Sequence, residues 1–281
     1  MTNTPRENSS QSLAATDSAP AAKEIILLPW GAPMRWLRLG WRDIATHPGT
    51  SVFFGLPFLF MALILHGVFH IGPEYSMTMI SGCLLIGPFV AMGLNDLSRR
   101  NEQGIERDFL GSLTCWKLHL SSMGILVVVL LVLTLLWGRV SLVVTALFFN
   151  TNIPSDFDVM EAAIDARNWE FVATYIIAGA VFATLIFSLL VVSVPMILDR
   201  DTDAISAVIT SFQVVGKNTA VMLLWAALMG LSVLVSVLLP YSAGIAVIGP
   251  LLGHASWHAY RDSVHRIGSS PTLNPASADS A

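Results

Sequence analysis

Apolar residues fall in six long runs, at residues 51–71, 76–97, 119–138, 172–198, 220–239 and 241–257, separated by short polar or charged stretches. A helix needs about 20 residues to cross roughly 30 Å of hydrocarbon, and within lipid only a helix or a closed barrel satisfies every backbone polar group. The pattern therefore predicts an all-α membrane protein with six transmembrane helices. Leu239, Pro240 and Tyr241 leave almost no loop between the last two runs. This predicts a tight helical hairpin, the proline ending one helix and starting the next.

The intervals between runs carry a helical period of their own. Before the first run, Met34, Leu37, Trp41 and Ile44 share one face and Arg35, Arg38 and Arg42 another, the pattern of a basic helix lying flat in the headgroup plane. Ile105, Phe109, Leu113 and Trp116 repeat it before the third run, as do Ile205, Val208, Ile209, Phe212 and Val215 before the fifth. The chain thus reads as three units, each an interfacial amphipathic helix followed by a transmembrane hairpin.

Units one and three also match in detail. Ile86-Gly87-Pro88 precedes Arg99 as Ile248-Gly249-Pro250 precedes Arg261, each arginine eleven residues after its proline. Both copies run in the same direction, which favours parallel repeats about an axis along the membrane normal. Each proline removes a backbone hydrogen bond inside the hydrocarbon and frees a carbonyl one turn earlier. Gly87, Pro88, Gly249 and Pro250, with Asn95 and Asp96 on the same helices, therefore mark either a solute pathway in a shared vestibule facing the cytoplasm, or packing kinks where glycines let backbones approach.

Charge sets the orientation. Only 12% of the 281 residues are charged against 54% hydrophobic. With six spans and the N-terminus inside, the cytoplasmic segments hold Arg6, Lys23, Arg35, Arg38, Arg42, Arg99, Arg100, Arg107, Lys117, Arg200, Lys217, Arg261 and Arg266; only Arg139 and Arg167 fall outside. Lys and Arg are retained on the cytoplasmic side, so both termini are expected there. Residues 1–22 and 268–281 are rich in small and polar types and read as disordered tails around a domain at 23–267. No apolar segment near the start has the length of a signal peptide, so insertion through the protein's own helices is expected. The net charge of −4 supplies no positive field for nucleic acid. The expected partners are the lipid bilayer and other inner-membrane proteins.

Residues able to carry chemistry are few. His66 and His70 are one helical turn apart, as are His254 and His258, each pair on one face as a metal site requires. His47, His119 and His265 could supplement the second pair. No cofactor is expected; if haem or metal were bound, His254 and His258 would hold it. Asp199, Asp201 and Asp203 alternate around Arg200 as an inner-face charge cluster; such carboxylates could hold a hard cation, but the favoured reading is that Asp199 and Asp201 pair with some of Arg99, Arg100 and Arg261, with Thr202 or Asp203 capping the helix that follows. Cys83 and Cys115 lie at different expected depths, which excludes a disulfide. Nucleophile-elbow, phosphate-loop and His-Glu-x-x-His motifs are absent from the sequence, and no catalytic residue is assigned.

Gly40-Trp41-Arg42-Asp43 with His47-Pro48, Gly87-Pro88 running to Ser98-Arg99-Arg100, Pro195-Met196 with Leu198-Asp199-Arg200, and Gly249-Pro250 running to His254, Trp257-His258 and Tyr260-Arg261 together resemble one family. It is the bacterial integral-membrane family DUF2189, a domain of unknown function, and the resemblance runs from about Trp30 to Arg266. It implies a multi-pass inner-membrane protein and carries no settled activity or site. The leading expectation is a non-enzymatic role in solute passage or in assisting a membrane complex. An accessory redox subunit and a structural lipid-interacting protein are the alternatives.

Overall fold

The structure is a computed structural model that describes residues 23–46, 48–71, 76–105, 108–149, 168–239 and 242–266. Both expected tails, His47, Arg107, Arg167 and the Pro240-Tyr241 turn lie outside the described residues. In chain order the elements are β1 (Lys23–Ile25), α1 (Ala32–Thr46), α2 (Pro48–Ile71), α3 (Ser76–Gln103), α4 (Phe109–Thr114), a 3₁₀ turn (Cys115–His119), α5 (Leu120–Phe148), α6 (Trp169–Leu190), α7 (Ser193–Arg200), α8 (Ala204–Lys217), α9 (Thr219–Leu238), α10 (Ile245–Ser263) and β2 (Val264–Arg266). β1 pairs antiparallel with β2, Ile25 opposite Val264. This two-stranded clasp, which the hydropathy pattern does not reveal, ties the two ends of the described chain together at one end of the bundle. That end is called terminal below, and the other distal.

Among the described residues five stretches are long and apolar enough to cross a membrane: Pro48–Val68, Met79–Gln103, Phe109–Phe148, Trp169–Arg200 and Thr219–Leu238. The sixth expected run, α10, is a regular helix of 19 residues, but its second half is polar, carrying His254, Ser256, His258, Arg261 and Asp262. It starts at Ile245 rather than 241, because Ser242 takes a positive φ and Ser242 N–H donates to the Leu239 carbonyl. The third run also continues past its expected end at 138, so Arg139 sits within α5 rather than in a loop. At 1.5 Å per residue it lies nearly 30 Å from the helix start, about one hydrocarbon thickness.

The expected helix before the third run is corrected more heavily. Gly104, at φ +64, ends α3 in a left-handed cap, with Ile105 N–H donating to the Arg100 carbonyl. Ile105 is therefore in a turn, and only the six residues of α4 are α-helical, N-capped by Asp108 through Gly111 N–H. α1 and α8 do form, but each turns only part of its apolar face to the protein. α1 buries Ala32, Trp36, Gly40 and Asp43 against the bundle and leaves Met34 and Trp41 exposed. α8 buries Ala204, Ala207, Ser211, Val214 and Val215 and leaves Ile205, Ile209 and Phe212 exposed. Small side chains on the buried faces let these helices lie close to their neighbours, with Trp36 as the one bulky anchor of α1.

The helices pack in a cyclic order. The hairpin pairs α2/α3, α5/α6 and α9/α10 each pack together, and the units join through α3 with α5, α6 with α9, and α10 with α2. The helix opening each unit sits on the second span of the unit before: α4 on α3, α8 on α6 and α7, and α1 on α10. At the terminal end the three second spans converge, with α3, α7 and α10 in mutual contact. There the core is dense and aromatic, and Trp36, Trp225, Trp257 and Tyr260 are fully buried. Trp36 meets Trp225 edge to face at 5.5 Å.

Candidate functional site

α3 presents one continuous stripe, Ile80, Leu84, Pro88, Ala91 and Asn95, at three- and four-residue intervals that keep it on one helix face. This stripe forms one wall of a cavity of about 1370 Å³ in the middle of the bundle. The other walls include Phe58, Met61 and His66 of α2, Trp137 of α5, Tyr175, Phe187 and Leu190 of α6, Met229, Val233 and Val237 of α9, and Ile245 and Ser256 of α10. All six long helices thus contribute. At the distal end Trp137 packs on Tyr175 at 5.3 Å, and the Tyr175 hydroxyl hydrogen-bonds Ser141 at 2.8 Å. No Lys, Arg, Asp or Glu is among the lining residues described. The walls are apolar, with isolated polar groups at Asn95, Ser242, Ser256, Tyr175 and His66.

The two glycine-proline breaks have different environments. Pro250 frees the carbonyl of Ala246, and that oxygen lies against Gly55 of α2, so tightly that a Cβ at Gly55 would collide with it. Gly249 packs on the ring of Phe58. This break is a close helix contact, with the freed carbonyl facing the Gly55 backbone. Gly87 has open space around it and lines the cavity with Pro88 and with Leu84, the residue whose carbonyl Pro88 frees. Gly87 thus makes no close packing contact, whereas Gly249 does. α3 and α10 are adjacent, but through Leu94, whose side chain fills the space beside Gly253.

Between the cavity and the terminal end lies a layer of buried polar groups. Asp43 accepts hydrogen bonds from Ser98 Oγ at 2.7 Å, Asn101 Nδ2 at 2.7 Å and His258 Nε2 at 2.9 Å. Ser98 Oγ also meets His254 Nδ1 at 2.7 Å, and His254 Nε2 meets Ser51 Oγ at 3.2 Å. One proton order satisfies every contact: Ser51 donates to Nε2, Nδ1–H to Ser98, and Ser98 to the Asp43 carboxylate. Burial acts to raise the Asp43 carboxyl, but the His258 and Ser98 hydrogen bonds and the two histidines outweigh it and hold it below its ordinary value. His254 and His258 are thus each committed to a different oxygen partner. Among the described residues no three His, Cys, Asp or Glu side chains converge as a metal site would require.

The expected charge cluster is partitioned differently. Asp96, fully buried, binds Arg99 at 2.5 Å, Arg100 at 2.7 Å and the Ser112 hydroxyl at 2.7 Å. Arg99 and Arg100 are therefore paired within their own helix rather than with Asp199 or Asp201. Asp199 accepts from the Tyr260 hydroxyl at 2.7 Å and lies 3.9 Å from both Arg200 and Arg261. Asp201 pairs with His119 at 3.0 Å, and Asp203 caps α8 through Ser206 N–H at 2.9 Å. The arginines link the second spans in a ring. Arg99 of α3 donates to the Leu198 carbonyl of α7, Arg200 of α7 to the Tyr260 hydroxyl of α10, and Arg261 of α10 to Glu102 of α3.

Asp43, Ser51, Ser98, Asn101 and Glu102 are not among the candidate site residues read from the sequence, although Asp43 and Ser98 fall within the stretches that carry the family resemblance. The signal for Asp43 was there: Trp36, Gly40 and Asp43 lie at i, i+4 and i+7, a second face of α1 that the amphipathic pattern obscures. His66 lines the cavity, Cys83 lines it and Cys115 is buried elsewhere, both as free thiols; the His70 side chain lies outside the described residues.

A family model described as predicted integral membrane protein (DUF2189) matches residues 76–199, from the start of α3 to the last residues of α7. The resemblance read from the sequence is to this same family, and its carriers Gly87-Pro88, Ser98-Arg99-Arg100 and Pro195 to Asp199 lie inside the matched span. No curated protein and no solved structure matches the chain. With five apolar helices of spanning length, the chain is an integral membrane protein.

Proposed function

We propose that this is a six-span protein of the bacterial inner membrane, with both termini cytoplasmic, whose central cavity receives a small molecule without catalysing a reaction on it. The cavity carries this reading. Packed helices leave few gaps larger than a water molecule between them, whereas here the six long helices border a cavity of about 1370 Å³ that opens on part of its surface. Binding pockets for drug-sized ligands run to roughly 1,000 Å³. The polar layer beneath it is fully committed to internal partners, which fits a rigid floor better than a reacting centre. α10 serves as the sixth span because its apolar first half borders the cavity and its polar second half is masked by α1, α2 and α3.

Single cysteines at Ala91 and Asn95, in a background lacking Cys83 and Cys115, test the reading. Paired treatment with a hydrophilic and an apolar thiol reagent should label at least one position in folded protein. Refusal of both reagents at both positions would mean that the cavity admits nothing, and would reduce the Pro88 break to a kink.

A further inference from the structure

The lining narrows what the cavity can hold. An anion or a cation taken into an apolar, low-dielectric space costs far more than any neutral group unless it is paired, and the cavity offers no charged side chain for pairing among the residues that line it. A sugar or other polyol would leave most of its hydroxyls unmatched. A long apolar body, by contrast, fits walls built from α3, α6 and α9. At the terminal end of the cavity stands Asn95, 1% exposed, and its side-chain oxygen has no hydrogen-bond partner. Such an orphan acceptor is costly to keep buried until a donor reaches it, and the broad χ2 well of asparagine lets the carboxamide turn toward the cavity. Ser256 lies at the same end of the wall; its hydroxyl donates to the Leu252 carbonyl at 2.7 Å and can offer a ligand only an acceptor.

We infer that the occupant is a neutral, single-headed lipid whose hydroxyl donates to Asn95: a long-chain or isoprenoid alcohol, oriented with its head toward the terminal end and its chain along the Pro88 stripe. The inference rests on the cavity reading above and adds its chemical class. Phospholipids and fatty acids are disfavoured by the same argument, since their phosphate or carboxylate would enter without a counter-charge.

The test uses full-length protein in nanodiscs and three photoactivatable probes of equal chain length: hexadecanol, hexadecanoic acid and a phosphatidylcholine. The alcohol should crosslink to α3 between Leu84 and Asn95, at least tenfold more than the other two, and unlabelled hexadecanol should compete. Asn95→Leu should lower this crosslinking about tenfold, the equivalent of one buried hydrogen bond, and Asn95→Gln should restore part of it. Ala91→Trp, which keeps Asn95 and fills the wall beside it, should abolish crosslinking, so the inference does not depend on one variant folding. Equal crosslinking by all three probes would overturn it, since bilayer chains would then simply fill the void. No crosslinking together with hydrophilic labelling at Ala91 would also overturn it, leaving a water-filled pathway and the broader cavity reading intact.

Discussion

Arg261 on α10 reaches Glu102 at the end of α3, its Nη2 3.0 Å from Oε1, while Trp257 Nε1 donates to the other carboxylate oxygen at 2.8 Å. One carboxylate thereby closes the last link of the ring in which each second span is tied to the next. The Arg261–Glu102 pair is more than one-third exposed on both sides, so solvent screening leaves it only about 0–1 kcal/mol. The buried indole partner makes the difference. Glu102→Gln, which keeps an acceptor for Trp257, should lower the unfolding temperature slightly, and Glu102→Leu should lower it clearly more. Thermal unfolding in detergent distinguishes the two, and equal effects would argue against the indole bond.

Asp96 is the stronger test of the ring. It is fully buried and holds two arginines and the Ser112 hydroxyl. Removing one partner of a buried ionic network typically costs about 3–5 kcal/mol, because the remaining charges are left uncompensated. Asp96→Ala should therefore yield little folded protein, and Arg99→Ala less of a defect because Arg100 remains. Size-exclusion profiles of detergent-extracted protein would report both.

Asp43 predicts a pH dependence. Its carboxyl is held below its ordinary value in the folded state, so its contribution is fully present above the unfolded value, near 3.8, and is lost as pH falls through the lower folded value. The difference in stability between the wild type and Asp43→Asn should be constant from pH 7 down to about 4 and should shrink below that. A difference that grows on acidification would contradict the assignment. At neutral pH the substitution should cost about 2–3 kcal/mol, the worth of charge-assisted hydrogen bonds.

Glycines separate packing from space. A Cβ at Gly55 would run into the Ala246 carbonyl, and one at Gly40 would come 2.9 Å from Ala255 N and from the Leu251 carbonyl, whereas Gly87 faces nothing within 4 Å. Gly55→Ala and Gly40→Ala should each destabilise by about 1–3 kcal/mol through overpacking. Gly87→Ala should be neutral or stabilising by up to about 1 kcal/mol, from helix propensity alone. Unfolding midpoints of the three variants give the comparison.

Topology is open to reporter fusions. Fusions after Gln103 and Lys217 should report the cytoplasm, and one at Asp158 the outside. A cytoplasmic signal at Asp158 would dismantle the six-span arrangement.

The membrane class, the places of the helices and the break at Pro88 are legible in the sequence, because hydropathy and backbone covalency are local properties. A run such as 220–239 can be little else than a spanning helix in lipid, and a proline removes its N–H wherever it stands. Spacing also brought out the match between Gly87-Pro88 and Gly249-Pro250. Their different environments were decided by tertiary structure: one carbonyl lies against Gly55, and the other belongs to a helix bordering a cavity. Nothing within either tripeptide distinguishes them. Likewise the alternating aspartates suggested one cluster, but their partners depended on which helices converge at the terminal end. Asp96 is satisfied by Arg99 and Arg100 of α3 with Ser112 of α4, while Asp199 meets Tyr260 and Arg261, and Glu102 meets Arg261. Asp43 and Ser98, fifty-five residues apart, became hydrogen-bond partners only when α1 docked on α10. The choice of partner for a buried polar group is a property of the assembled bundle, since it depends on long-range distances that no local period encodes.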